Sequence, residues 1–181
     1  ARKATAYITL EPCSHHGKTG PCDEALIESG VSRVVYATED PFEKNDKSMP
    51  DKLNDAGISV SVGLLREEAK QLNRGFFSRV INKKPFVTLK LGISIDGATA
   101  MESGESQWIT GEAARKDVQK LRASSGAILT GSGTIKIDNP SLTVRDEALN
   151  AIDPIRVIID TKLQTSPDAK IYLDDKTTWI F

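Results

Sequence analysis

The chain has 181 residues, 39% hydrophobic and 27% charged, with 24 Lys and Arg against 25 Asp and Glu and a net charge of −1. That balance is typical of a globular protein. It excludes a strongly basic nucleic-acid-binding surface, and no apolar run reaches the roughly 18 residues of a membrane span. Two cysteines in a chain this long exclude a disulfide scaffold.

The first residues, ARKATAYITL, read as the lead-in to a strand rather than a leader peptide, so the expectation is a cytoplasmic protein. Residues 5–10 are β-branched and apolar, a strand. Residues 22–30 (CDEALIESG) read as a short helix stopped by Gly30. Residues 33–38 (RVVYAT) form a second strand, 49–57 a weaker helix and 58–62 (ISVSV) a third strand. A long helix is expected from Leu64 to about Asn82, because Leu65, Ala69, Leu72, Phe76 and Val80 recur at helical steps. Strands separated by helices imply βαβ units and a largely parallel sheet. The polar, proline-closed joint INKKP (residues 81–85) is the best domain boundary. Beyond it come an expected strand at 86–94 (FVTLKLGIS), a helix from Gly111 to Arg122, strands at 127–131 and 155–160, and a last strand in TTWIF. A chain that starts without Met and stops on Trp179, Ile180 and Phe181 reads as an internal stretch of a larger protein.

Both cysteines and both histidines lie within TLEPCSHHGKTGPC, residues 9–22. Thiolate sulfur and imidazole nitrogen suit zinc. The residues allow a closed structural site, a redox pair, or a catalytic site in which two cysteines are joined by a third ligand and a water. A cysteine beside Pro21 at a helix start favours the third, since a helix N-terminus stabilises thiolate. The motif resembles the cytidine-deaminase superfamily, whose signature is H-x-E followed by P-C-x-x-C. With eight residues between the cysteines, it is similar to the deaminase half of the bifunctional riboflavin-biosynthesis deaminase–reductase family. The resemblance implies that Cys13 and Cys22 are zinc ligands. It also implies that His15 and His16 are not, and that the missing ligand and the proton-shuttling glutamate belong to an upstream H-x-E helix absent from this chain. Zinc would be weakly held by the two cysteines alone. Where that family carries N-P-x-V-x-G-x-G, residues 42–50 read FEKNDKSMP. The loss of glycines there, with Asp46 near a substrate phosphate, predicts a slower deaminase.

In the second half, glycines at 92, 97, 104 and 111 follow an apolar run, and GSGTIKIDNP (residues 131–140) follows another. Neither a G-x-G-x-x-G after a first strand nor a G-x-x-x-x-G-K-[ST] is present, so the Rossmann and Walker readings fall. SGESQWIT, RKDVQKLRASSGAILTGSGTIKIDNPSLTVR and PIRVIID resemble the reductase half of the same bifunctional family. That half is similar to dihydrofolate reductase and uses NADPH. The fold implied is α/β: a partial cytidine-deaminase-like three-layer domain over residues 1–83, then a partial dihydrofolate-reductase-like domain over residues 84–181.

By the same resemblance, Gly92, Trp108, Thr134, Asp138 and Thr161 lie near NADP, and Ser106, Arg122, Leu142 and Arg145 hold the substrate, a pyrimidine ribosyl phosphate. Lys90 is the candidate for polarising or protonating the sugar oxygen. Plainer roles compete for four of these. Trp108 would serve in a core, Lys90 on a solvent-facing strand, Arg122 at a helix end and Asp138 in a turn. The resemblance also implies homo-oligomers formed through the reductase half, with no nucleic-acid or membrane partner. A non-catalytic zinc scaffold, or a reductase with a vestigial deaminase, would keep the same motifs. Ammonia release and NADPH oxidation separate these readings.

Overall fold

A computed structural model describes residues 1–42 and 48–181. The chain divides into two compact units, Ala1–Leu89 and Lys90–Phe181.

The first unit is built on a parallel sheet in the order β1 (Thr5–Ile8), β2 (Arg33–Tyr36), β3 (Ser59–Val62). Thr5 pairs with Arg33, and Arg33 with Ser59. Helix α1 (Cys22–Ser29) links β1 to β2 and ends at Gly30 with φ 70°, a left-handed turn that glycine enters without strain. Helix α2 (Met49–Asp55) links β2 to β3. Met49 and Leu53, one turn apart on α2, join Val31, Val34, Tyr36 and Ile58 in the core. β2 is the central strand, and Val34, Val35 and Tyr36 are all buried, as expected of a parallel strand covered on both faces.

The long helix expected over residues 64–82 is instead two, α3 (Arg66–Leu72) and α4 (Arg74–Asn82). The break is at Asn73, whose side-chain amide donates to the Ala69 carbonyl at 2.9 Å. A side chain competing for the i−4 carbonyl disturbs the helical ladder, and Gly75 follows directly. The apolar stripe read across the break is not a buried face: Ala69 is buried, while Leu65 and Leu72 are exposed.

The second unit contains helix α5 (Glu112–Ala123) and a parallel sheet of β4 (Ala127–Gly131), β5 (Ile155–Ile159) and β6 (Thr178–Ile180), with α6 (Ser132–Asp138) following β4. Its core gathers Ile135, Leu142, Ile158, Ala169 and Ile171. Residues 86–94, expected as a strand, form none. Their apolar alternation is strand-like, but a strand exists only where a neighbour completes its hydrogen bonds, and the ladders among the described residues leave this run unpaired.

Candidate functional site

Cys13 and Cys22 meet at the mouth of α1. The backbone N–H groups of Cys22 and Asp23 both donate to the Cys13 carbonyl, at 2.9 and 3.2 Å, folding the loop back onto the helix start. The two sulfurs are 3.3 Å apart. The Cys22 thiol is pushed up, first by its hydrogen bond with Cys13 and then by burial. Two thiolates at this separation repel, and only a cation between them would favour both charges. Glu11 steadies the loop from the other side, accepting the Asp40 N–H at 2.9 Å and facing the Tyr36 hydroxyl at 3.5 Å. Burial, then the charges of Glu11 and Glu39, push the Tyr36 phenol up to about 12. His15 packs against Phe42, with ring centroids 5.8 Å apart.

These residues do not by themselves fit a catalytic zinc site. They supply two sulfurs, and among the described residues no group of three His, Cys, Asp or Glu side chains could hold a metal. Residues Asn45, Asp46 and Lys47 of the glycine-poor loop lie outside the described residues. Met49, at the end of that loop, is fully buried in the first core, so it is a packing residue and glycine there would open a cavity.

In the second unit, a cleft of about 390 Å³ is lined by Ser94, Asp96, Met101, Ser106, Trp108 and Ile109, among others. Trp108 is 65% exposed, so it is no core residue. The Arg115 guanidinium lies 4.3 Å from its ring centroid, a cation–π contact that holds the indole plane. Ser106 donates to Asp138 across 3.4 Å, joining the cleft to the end of α6. Thr134 and Asp138 stand one turn apart on α6, both exposed, and Thr161 is exposed just beyond β5. Lys90 is exposed, and its Nζ lies 3.4 Å from where a side-chain carbon on Gly92 would be.

Arg122 and Arg145 form a second cluster. Arg122 Nη1 donates to the Thr143 carbonyl at 2.9 Å. Burial and then the charge of Arg145 hold the Arg122 pKa below the usual arginine range. Arg145 is exposed, and Leu142, with φ 56°, is buried in the second core.

A family model described as the RibD C-terminal domain matches residues 85–181. The chain belongs to the RibD family. It is 50% identical over 190 residues to the riboflavin biosynthesis protein RibD of Escherichia coli K12, covering 99% of this chain and 52% of that protein. It is 49% identical over 183 residues to the RibD of Bacillus amyloliquefaciens, covering 100% and 49%. Among solved structures it is similar to a Thermotoga maritima diaminohydroxyphosphoribosylaminopyrimidine deaminase/5-amino-6-(5-phosphoribosylamino)uracil reductase, with TM-score 0.91, 39% identity and coverage of 99% of this chain and 51% of that one. It is also similar to Acinetobacter baumannii RibD, with TM-score 0.89, 44% identity and coverage of 99% and 52%. The chain thus spans about half the length of the curated relatives it matches.

Sequence reasoning missed the side chains that act on backbone. Gln119 accepts the Arg145 N–H at 2.8 Å, Asp153 accepts the Val144 N–H at 2.6 Å, and Arg156 donates to the Ser141 carbonyl at 3.1 Å. A polar residue on the inner face of an otherwise amphipathic helix was the only signal for Gln119. Toward a nucleotide, the cleft offers the exposed ring of Trp108 and the Ser106 hydroxyl bonded to Asp138, while Thr134 and Thr161 are exposed polar groups outside its lining.

Proposed function

We propose that the protein acts in riboflavin biosynthesis as a bifunctional enzyme, and that Lys90–Phe181 belongs to its NADPH-dependent reductase half. The substrate of that half is a ribosylamino pyrimidine phosphate, and its ribosyl chain is reduced to ribityl. The observation that carries this reading is that helix α5 holds Arg122 and Arg145 to one short segment: Arg122 Nη1 donates to the Thr143 carbonyl, and Gln119, one turn earlier, accepts the Arg145 N–H. Two guanidiniums gathered at one segment suit a dianionic phosphate, which a guanidinium can grip bidentately.

NADPH, when bound, supplies the hydride. The chain's own residues bind and orient. Trp108, Gly92, Thr134, Asp138 and Thr161 hold the cofactor, and Ser106 and the two arginines hold the substrate, with Leu142, its side chain buried, offering backbone alone. Lys90 Nζ keeps a proton available for the sugar oxygen as the ring opens. Such a reaction gains mainly from orientation. The deaminase half would release ammonia from a diaminopyrimidine ribosyl phosphate with zinc. Cys13 and Cys22 would supply two ligands of that zinc. The assembly proposed is a cytoplasmic homo-oligomer formed through the reductase half.

Arg145→Ala tests the reductase reading. A lost charge-assisted contact is worth about 1.5–3 kcal/mol, so KM for the phosphorylated substrate should rise at least tenfold while KM for NADPH changes little. Weakened NADPH binding alone would mean that the two ligand sites are exchanged.

A further inference from the structure

Residues 141–145 belong to no helix or strand, yet side chains from other segments fix their backbone at four points. Arg156 on β5 holds the Ser141 carbonyl and Arg122 on α5 holds the Thr143 carbonyl. Asp153 takes the Val144 N–H, and Gln119 on α5 takes the Arg145 N–H. Leu142 plugs the middle of the segment into the core. Gln119 is the buried residue of α5, 8% exposed, and lies one turn before Arg122 on the same face. The helix therefore offers this segment an acceptor and a donor side by side. A polar side chain is buried at a cost unless it is hydrogen-bonded, and the bond that Gln119 makes is to the backbone of Arg145.

We infer that Gln119 is a positioning residue for phosphate binding: by pinning the backbone of Arg145, it sets that guanidinium beside Arg122 before any ligand arrives. This rests on the reading of Arg122 and Arg145 as phosphate-binding residues. Gln119 itself touches no ligand. A guanidinium on a loose loop would lose backbone freedom on binding; here that freedom is lost on folding, and affinity gains accordingly. The effect should be confined to ligands that carry the phosphate.

The test uses Gln119→Leu and Gln119→Met in the protein at its natural length, with Arg145→Ala alongside. Reductase kinetics are measured with the phosphorylated substrate and with the same substrate lacking its phosphate, and inorganic phosphate is titrated as an inhibitor. Either Gln119 variant should raise KM for the phosphorylated substrate about 3- to 10-fold, the scale of one hydrogen bond. The inhibition constant of inorganic phosphate should rise in parallel. The turnover number, KM for NADPH and KM for the substrate lacking phosphate should stay within about twofold. A Gln119 penalty equal with and without the phosphate would overturn the positioning role and mark Gln119 as a packing residue. If Arg145→Ala shows a phosphate-dependent penalty and neither Gln119 variant does, the positioning role fails alone. If Arg145→Ala shows none, the phosphate reading fails and takes this inference with it.

Discussion

The middle strands of the two sheets differ. β2 buries Val34, Val35 and Tyr36, whereas β5 buries Arg156, 1% exposed, next to Ile158. Both strands are flanked on each side by parallel neighbours. The first unit is centred on apolar burial, which is strong and non-directional. The second adds a guanidinium bonded to both oxygens of Asp174, at 2.9 and 2.6 Å, and to the carbonyls of Ser141 and Lys176. A buried ion pair contributes little net stability over an apolar pair, but it is directional. Here that direction is spent on irregular chain, the segment bearing Leu142 and Arg145 and the turn at Asp174. The difference teaches where shape is specified: in the first unit by a packed core, in the second by hydrogen bonds aimed at loop backbone.

The largest effect that would sharpen this contrast concerns the cysteines. The first unit brings two sulfurs together and supplies no third ligand among its described residues. At its natural length the protein should bind about one zinc per chain, all of it lost in a Cys13→Ser, Cys22→Ser double variant. Elemental analysis decides this, and unchanged zinc in the double variant ends the metal reading.

Next is the pair Arg156→Ala and Leu53→Ala. Removing Arg156 leaves two carbonyls without their donor and Asp174, a third exposed, to solvent, at about 1–3 kcal/mol. Removing the Leu53 side chain leaves a cavity in the first core, at about 2–5 kcal/mol. Both tryptophans lie in the second unit and both cysteines in the first, so tryptophan fluorescence and thiol labelling follow each unit during urea unfolding. An Arg156→Ala loss below about 1 kcal/mol in the tryptophan signal would break the comparison.

Much of the strand and helix order was legible in sequence because it rests on local pattern. Apolar runs such as residues 33–36 and 155–159 became strands, and Gly30 closed its helix. Two expectations failed, one locally and one for want of a partner. Asn73 broke a periodic stripe by bonding back to Ala69, and residues 86–94 have no neighbouring strand among the described residues. At the site, the motifs pointed to Cys13 with Cys22 and to Arg122 with Arg145, groups the fold does bring near one another. Asp153 and Arg156 were invisible, and Gln119 showed only as a polar residue on an inner helix face, because the backbone atoms they hold are encoded by no residue-type pattern.

The smallest expected effect is a dependence on pH that the hydrogen-bonded unit should show. Four of its aspartates sit below the usual carboxylate range, Asp96 first through the Ser94 hydroxyl bonded to it. Asp160 is lowered first by the Gln164 N–H, with Thr165 adding two more donors. Asp153 is lowered first by the Val144 N–H, and Asp174 first by the Arg156 side chain. A carboxylate whose folded pKa is depressed adds stability above its unfolded value, near 3.9, and that stability is lost as pH falls through the folded value. Lys176 has the opposite sign: Asp153 raises its pKa, so its contribution is full below the unfolded lysine value and disappears at strongly alkaline pH. The urea midpoint read by tryptophan fluorescence should therefore fall between about pH 5 and pH 3, and Asp160→Asn should make that fall shallower by withdrawing one titrating group. A flat midpoint over that interval would mean that these carboxylates bind protons alike in the folded and unfolded chain, and that the hydrogen bonds drawn to them add nothing to the second unit.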